Sequence, residues 1–264
     1  MSPVKAKKNL GQHFLKSRPL ARKIAAQLEI KPGDEIVEIG PGQGALTELL
    51  IGENHKLTVV EIDRYLCRQL EKRFGNSPNL RILNLDFLDF DKSLLPARFK
   101  VIGNIPYNRT AGIVERLIEL AETIELGIIT VQAEVAAKLV AKPKEEAYGH
   151  LTVLAATAFR CEKLFAIPPG AFSPAPKVKS AVVKLTPVDT RFGDADRFRA
   201  FLKACFFARR KMLTNSLRMA LAMPRKRADS LVAGCFGSAA VRAADLDLDA
   251  FHRLFVAWQA ECLN

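Results

Sequence analysis

The sequence lacks any uncharged apolar run of the ~18 residues that a membrane-spanning helix requires. It also lacks the pattern of a secretory signal, because its basic first residues are not followed by an apolar stretch. These two absences argue against a membrane protein and against export. We therefore expect a soluble, cytoplasmic protein without a membrane partner.

Cysteine and histidine are sparse as well. The five cysteines are spread along 264 residues without a Cys-x-x-Cys pair, and the four histidines lie nowhere near metal-ligand spacing. Dispersed cysteines of this kind are typical of reduced packing residues in a cytoplasm. We predict no bound metal.

Carboxylates are absent from two basic segments, residues 1–23 and 209–227, each of which holds seven basic side chains. They account for much of the formal charge of +12, which results from 40 basic and 28 acidic residues. One such segment is often only a solvated surface, but two in the same chain favour a polyanionic partner. RNA or DNA is the obvious polyanion, because basic side chains neutralise its phosphates.

Short apolar runs alternate with helical patterns from about residue 34 to 132, which indicates an α/β fold with a doubly wound, mostly parallel sheet. The predicted strands are 36–39, 57–62, 80–83, 100–103, 127–131, 163–167 and 178–185. Helical patterns occupy 44–50, 64–74, 112–121, 134–140 and 149–159. Four prolines within 167–176 predict a rigid, irregular loop.

The pattern is helical throughout after residue 187, with candidate helices at 198–208, 211–221, 228–235 and 248–261. We therefore predict two domains. Residues 1–187 are expected to form the α/β domain with a basic N-terminal arm, and residues 188–264 a small all-α domain that binds RNA.

A glycine-rich loop follows the first predicted strand, with Gly40, Gly42 and Gly44. Glycines let the backbone turn tightly and approach a ligand at the carboxyl edge of the sheet. Glu61 follows about twenty residues later, where a carboxylate binds ribose hydroxyls in dinucleotide enzymes and in methyltransferases alike. Asp86, after the third strand, is placed to accept a hydrogen bond from an adenine amine.

The turn after the fourth strand carries Asn104, Ile105, Pro106 and Tyr107. The Asn104 amide oxygen and the Ile105 or Pro106 carbonyl can accept both hydrogens of an exocyclic amine, and Tyr107 offers a flat face for stacking. Such a turn suits methylation of an amino nitrogen, and a dehydrogenase has no use for it. The plain alternative is a proline-containing turn after a buried strand.

Several segments in this order resemble the small-subunit (16S-type) rRNA adenine dimethyltransferases. They are Leu10-Gly-Gln-His-Phe-Leu15, Val37 to Leu46, Val60 to Asp63, Gly103 to Asn108, Val131 to Val135, Tyr148-Gly149, Phe172 to Val183, and Arg209-Arg-Lys211 with Asn215-Ser216. The resemblance extends from about residue 7 to about residue 218. Its specificity comes from the joint occurrence of the segments in order.

The resemblance implies a Rossmann-like, seven-stranded methyltransferase sheet and S-adenosylmethionine as the methyl donor. It implies as substrate two adjacent adenosines near the 3′ end of small-subunit rRNA, within an immature ribosomal subunit, each becoming N6,N6-dimethyladenosine. A monomer without a metal cofactor is expected.

Site roles follow from the same resemblance, residue by residue. The expected donor contacts are His13, Leu15, Gly40, Gly42, Glu61, Asp86 and Asn104. The expected substrate contacts are Tyr107 and Phe172, which would hold the extruded adenine between aromatic faces, and Arg209, Arg210 and Lys211.

Some of these assignments stay open. Some relatives have Asn at the position of His13, so that its contact would involve either the backbone or the side chain. Phe172 beside prolines could be a loop anchor instead. Arg109 stands where relatives often have Ile, and it would either contact RNA phosphate or be solvated.

Two other functions are also compatible with the sequence. A large-subunit adenine methyltransferase of the macrolide-resistance type shares the donor and Asn-Ile-Pro-Tyr motifs, whereas the stretch from Phe206 to Leu217 favours the small-subunit group. A non-catalytic ribosome assembly factor would retain the fold, but the intact Gly40 loop, Glu61 and Asn104 favour an enzyme.

Overall fold

The computed structural model describes residues 11–189, 194–208 and 211–263, and the chain divides into two compact units. The first unit contains the chain up to residue 136 and residues 159–187, and the second contains 137–158 and the chain from 188 onward. The sequence placed 137–158 in the first domain. In the structure this segment groups with the helical unit, because Tyr148 and Val153 are buried in the helical core.

The first unit is built on a seven-stranded sheet. Its strands are β2 (Glu35–Ile39), β3 (Lys56–Val60), β4 (Leu80–Leu83), β5 (Phe99–Asn104), β6 (Ile124–Gln132), β7 (Phe159–Ile167) and β9 (Ser180–Pro187). Their order across the sheet is β4-β3-β2-β5-β6-β9-β7. The first five are parallel, whereas β9 runs antiparallel to both of its neighbours. The predicted doubly wound, mostly parallel sheet is confirmed.

Helices connect the strands: α1 (Arg18–Ala26), α2 (Thr47–Leu50), α3 (Arg64–Phe74), α4 (Thr110–Glu119) and α5 (Ala133–Val140). Because helices cover the parallel strands, β2, β3 and β5 are buried along nearly their whole length. Ile36, Leu57 and Ile102 are examples, and Ile24 and Leu28 pack into the same core from the α1 side.

A separate pair of short strands, β1 (Phe14–Leu15) and β8 (Phe172–Ser173), forms a two-stranded antiparallel sheet. The prediction of a wholly irregular loop over 167–176 was therefore wrong in part. Proline prevents regular structure only where its missing N–H or its ring interferes, and Phe172 and Ser173 lie between the prolines. The pairing anchors the N-terminal arm to the α/β unit.

The second unit contains α6 (His150–Ala156), α7 (Ala195–Cys205), α8 (Leu213–Leu221), α9 (Arg225–Phe236) and α10 (Leu248–Leu263). Its core is rich in aromatic residues, with Phe198, Phe201, Phe251 and Phe255 buried among aliphatic side chains. Across residues 11–189, 194–208 and 211–263, no helix is long and apolar enough to cross a membrane.

Candidate active site

The candidate site lies at the carboxyl edge of the sheet, where the chain leaves β2, β3 and β5. Gly40 follows β2, Glu61 follows β3, and Asn104 ends β5. Strand order reverses between β2 and β5, because β3 and β4 continue on one side and β6 on the other. Open α/β sheets bind ligands at such a switch point.

The loop after β2 depends on glycine at position 42. Gly42 has a φ of +58°, and a Cβ atom there would lie 2.8 Å from the ring of Phe14 in the arm. Its backbone N–H donates to Oε2 of Glu61 at 3.1 Å. A side chain at position 42 would therefore strain the loop and displace the arm.

Glu61 is held by backbone donors on both oxygens. Gly42 N–H donates to Oε2, and Asp63 N–H donates to Oε1 at 2.9 Å. Burial raises the pKa of the Glu61 carboxyl, although these two N–H groups oppose the shift. Each carboxylate oxygen has a second lone pair, so that the group can still accept from a pair of hydroxyls.

A second buried carboxyl, that of Glu38 in β2, was missed by sequence reasoning. It accepts a hydrogen bond of 2.7 Å from Oγ1 of Thr47, the first residue of α2. Burial raises the pKa of Glu38 to about 8, and the nearby Glu61 charge adds to the shift. The available signal was an acidic residue inside an otherwise apolar strand directly before the glycine loop. The hydrogen bond ties the two ends of that loop together.

The side-chain amide of Asn104 is fixed in one orientation. Its Nδ2 donates to the backbone carbonyl of His13 at 2.8 Å. Its Oδ1 is buried and has no hydrogen-bond donor among the described residues. A buried acceptor without a partner is rare in folded proteins and costs about 1–3 kcal/mol, so it indicates a position that a ligand donor can satisfy.

The two backbone carbonyls that the sequence left as alternatives differ in the structure. The Pro106 carbonyl already accepts from Arg109 N–H at 3.1 Å and from Oγ1 of Thr110 at 3.1 Å. The Ile105 N–H donates to the Thr130 carbonyl, which fixes the peptide that joins Asn104 to Ile105. Of the two carbonyls, that of Ile105 is the better candidate for a second acceptor.

A small recess of about 30 Å³ brings six of the predicted site residues together. Its lining comprises Gly40, Asn104, Ile105, Pro106 and Tyr107 from the sheet edge and Gly11, Gln12, His13 and Phe14 from the arm. Leu15 is not among them, because its side chain packs into the core of the α/β unit. The arm therefore covers the recess with the residues just before Leu15.

Tyr107 is half-buried at the recess. Its ring lies against that of His13, with 5.0 Å between centroids and 33° between planes. Its hydroxyl shares a hydrogen bond with the Ser180 hydroxyl. Burial raises the pKa of Tyr107, and the bond to Ser180 opposes the shift. The His13 side chain is itself held, since Nδ1 lies 2.8 Å from the Pro174 carbonyl oxygen.

Phe172 does not take the position predicted for it. Its side chain is 1% exposed and belongs to the same core cluster as Leu15 and Ile167. The cause is the pairing of β8 with β1, in which Phe172 lies opposite Leu15. A ring packed in this core does not face the recess, so the structure favours the alternative of a loop anchor over the predicted base-stacking role.

Asp86 and Arg109 form an ion pair that the sequence did not predict. Nη2 of Arg109 donates to Oδ2 of Asp86 at 2.6 Å, and both side chains are partly buried. The other Asp86 oxygen accepts from Leu88 N–H at 3.0 Å. Neither expectation for Arg109, an RNA contact or a solvated side chain, describes this arrangement. A ligand amine at Asp86 must share the carboxylate with the guanidinium.

The basic cluster of the helical unit is described only in part. Arg209 and Arg210 lie outside the described residues. Lys211 is exposed and lines a surface cavity of about 570 Å³ in the helical unit, together with Asn215, Arg218, Met219, Ala222 and Met223. In residues 11–189, 194–208 and 211–263, no group of three or more His, Cys, Asp or Glu side chains is arranged to hold a metal ion.

The fold and the site together define a class of protein. A seven-stranded sheet with a glycine loop after β2 and a buried carboxylate after β3 is the Rossmann-like arrangement of nucleotide-type sites. The Asn-Ile-Pro-Tyr turn after β5 adds polar acceptors at the same edge of the sheet, in the pattern that the sequence predicts for an amino methyltransferase. The model of the family described as ribosomal RNA adenine dimethylase matches residues 4–237. The chain belongs to this family.

Individual relatives agree with this membership. The chain is 39% identical over 261 residues to a protein of Acidobacterium capsulatum named ribosomal RNA small subunit methyltransferase A, covering 95% of the chain and 90% of the relative. A protein of the same name from Pseudomonas savastanoi pv. phaseolicola is 38% identical over 257 residues, covering 95% of the chain and 93% of the relative.

Solved structures show the same fold. A dimethyladenosine transferase from Plasmodium falciparum superposes with a TM-score of 0.82 at 24% identity, covering 95% of this chain and 98% of the other. The structure of the 23S rRNA methyltransferase ErmE superposes with a TM-score of 0.69 at 28% identity, covering 93% and 99%.

Proposed function

We propose that this protein dimethylates the N6 amine of two adjacent adenosines near the 3′ end of small-subunit rRNA, with S-adenosylmethionine as the methyl donor. Membership of the rRNA adenine dimethylase family supports the reaction, and the names of relatives at 38–39% identity support the small subunit as substrate. The observation that carries the proposal is the buried Oδ1 of Asn104, an oriented acceptor without a partner among the described residues.

The residues at the sheet edge fit the donor. The buried Glu61 carboxylate suits the ribose hydroxyls, and the positive-φ backbone at Gly40 and Gly42 allows close approach of the methionine part. Asp86 suits the adenine amine while keeping its bond to Arg109. S-adenosylmethionine supplies an electrophilic methyl group, and the protein must position an amine in front of it.

Positioning matters because the lone pair of the adenine amine is delocalised into the ring. Acceptors at Asn104 Oδ1 and at the Ile105 carbonyl draw both amine hydrogens out of the ring plane, which favours a pyramidal nitrogen with a directed lone pair. The Asn104 amide is already held by the His13 carbonyl at 2.8 Å, so little reorganisation is needed at the moment of reaction.

The recess needs no strong base. The described residues of its lining include no carboxylate, and a methylated amine with a positive charge readily releases a proton to water. After the first transfer only one amine hydrogen remains, so the second transfer proceeds with one acceptor contact fewer. The recess must then also accommodate the first methyl group.

Extrusion of the adenine requires a surface on which it can stack. With Phe172 in the core, Tyr107 is the predicted aromatic residue that remains at the recess, and one such stack contributes about 1–3 kcal/mol. The helical unit is proposed to bind folded RNA through its basic side chains, among them Lys211 and Arg218.

The test is incubation with labelled S-adenosylmethionine and separately purified immature small and large ribosomal subunits, followed by mass analysis of the nucleosides. We expect dimethyladenosine in small-subunit RNA. Product in large-subunit RNA alone would identify the activity named for the ErmE structure instead. Tight binding to small subunits without any methylation would identify an assembly factor.

A further inference from the structure

The α/β unit has a second surface cavity, of about 260 Å³, whose chemistry differs from that of the recess. It lies between the start of α1, the glycine loop at Gln43 and Ala45, and the outward sides of α2 and α3. Its charged lining residues are Lys16, Arg18, Arg22, Arg73 and Glu48. Four cations therefore face a single carboxylate.

Glu48 organises two of the cations. Its Oε1 accepts from Nη2 of Arg18, and its Oε2 accepts from Nη2 of Arg73, each at 2.5 Å. Arg73 is further held by a bond from Nη1 to the Gln43 carbonyl at 3.3 Å. A guanidinium has five N–H donors, so both arginines keep most of their donors for a further acceptor.

The other two cations, Lys16 and Arg22, are exposed, and no carboxylate among the described residues pairs with either. The first turn of α1 adds to the positive potential, because the N-cap Ser17 makes no side-chain hydrogen bond to it and Arg18 is its first residue. The cavity therefore combines a fixed arginine pair, two unpaired cations and the positive end of a nine-residue helix.

We propose that this cavity binds a phosphodiester group of the RNA substrate, next to the nucleotide that enters the recess. This inference rests on the proposed function. The excess of cations selects an anion, and preorganised guanidinium groups match the oxygens of a phosphate.

The position of the cavity along the arm supports RNA as the occupant. Lys16 is three residues from His13, and an extended chain spans at most about 10 Å over that distance. His13 borders the recess, and Lys16 borders the cavity. One RNA strand can therefore place a base in the recess while a neighbouring phosphate contacts the cavity. The phosphate contact then fixes the register of the strand relative to Asn104.

The experiment compares two double variants of the full chain. Lys16→Ala with Arg22→Ala removes the two unpaired cations of the cavity, and Lys31→Ala with Lys92→Ala removes two exposed lysines that border neither cavity. Equilibrium binding to purified small-subunit rRNA is measured over a series of salt concentrations. Thermal unfolding of each variant verifies that it folds.

We expect the cavity variant to reduce the slope of log affinity against log salt by about one to two, the effect of losing one or two phosphate contacts, while the control keeps the wild-type slope. A third variant, Lys16→Arg with Arg22→Lys, retains both charges and should retain the slope.

An unchanged slope in the cavity variant would overturn the inference, and so would an equal reduction in the control, which would indicate a general effect of charge. The binding measurement is independent of methylation. If the wild-type protein methylated neither subunit but the cavity variant alone lost slope, the proposed function would fail and the phosphate site would stand.

Discussion

Asn104 couples the arm to the turn at the end of β5. Its Nδ2 donates to the His13 carbonyl, and this bond orients the amide while Oδ1 stays buried without a donor among the described residues. The sequence predicted Oδ1 as an acceptor but did not show what would hold the amide in one orientation. The arm holds it, because it supplies an acceptor for the other end of the amide.

Replacing Asn104 by Ala should therefore reduce turnover strongly. We expect a loss of about 100- to 1,000-fold in kcat, the range for removing one preorganised polar group from an active site, with RNA affinity within a few fold of wild type. Single-turnover methylation and equilibrium RNA binding measure the two effects separately. The matched control is Asn79→Ala, since the Asn79 side-chain amide donates to the carbonyls of Gly52 and Glu53 and Asn79 does not line the recess. Unchanged turnover in Asn104→Ala would refute the assigned role.

Glu38 makes stability depend on pH. Its carboxyl has a pKa of about 8 in the folded protein, above its usual value of 4.5, because it is buried. The folded state therefore holds a proton that the unfolded state loses from about pH 4.5 upward. The contribution of this carboxyl to the free energy of unfolding is fully present below pH 4.5. It declines as the pH rises toward 8 and changes little above pH 8.

Glu38→Gln keeps an acceptor for Thr47 and never ionises. We expect the wild-type protein to lose stability relative to this variant as the pH rises from 5 to 8. The difference between their free energies of unfolding should change by an amount on the order of a few kcal/mol. Chemical denaturation of both proteins at three pH values measures the difference. Glu53→Gln, which makes the same substitution at an exposed position, is the matched control. A difference that stays constant with pH would mean that Glu38 titrates normally.

At the scale of elements, local pattern explains most of what could be predicted. Helix α3 begins and ends as predicted, because Asp63 caps its first turn and its apolar residues recur with helical period. Strand β4 also matches residue for residue. The β1–β8 pair was missed, since two-residue strands leave no periodic signal and their partners are far apart in the sequence.

The same limit applies to the site. The glycine loop, Glu61 and the Asn104 turn were predictable because each is a short motif at a strand end. The Asp86–Arg109 pair and the burial of Phe172 depend on tertiary contacts between elements, and no local pattern encodes them. The sequence therefore identified which residues belong to the site better than it identified their partners.

Substitutions at Phe172 test whether its ring serves to anchor the β1–β8 pair. Because its side chain is fully packed, Phe172→Ala should lower the free energy of unfolding by about 3–5 kcal/mol, as measured by denaturant titration. Phe172→Leu keeps most of the apolar volume without a ring. It should retain near wild-type turnover well below its melting temperature. A large loss of turnover in the stable Leu variant would show that the aromatic ring itself is needed for turnover, as the base-stacking hypothesis requires.

At the scale of the whole molecule, the candidate site lies in one unit, whereas cavities bordered by basic side chains occur in both units. The α/β unit contains the recess and the buried carboxyls, whereas the helical unit has a cavity bordered by Lys211 and Arg218. Charge on the helical unit can contribute affinity without contact to the reacting amine. This distribution predicts that binding and turnover can be separated by mutation.

Simultaneous replacement of Arg209, Arg210 and Lys211 by Ala tests that separation. We expect the slope of log affinity against log salt to fall by about two to three, one for each lost phosphate contact, because sequence-independent affinity comes from phosphate neutralisation. Methylation at saturating RNA should stay close to wild type, since contacts to phosphates contribute affinity and are already satisfied when the RNA is saturating. Salt-series binding and kcat at saturation measure the two expectations. An identical salt slope would show that this cluster does not contact RNA, and a fall in kcat at saturation would show that the helical unit also positions the adenosine.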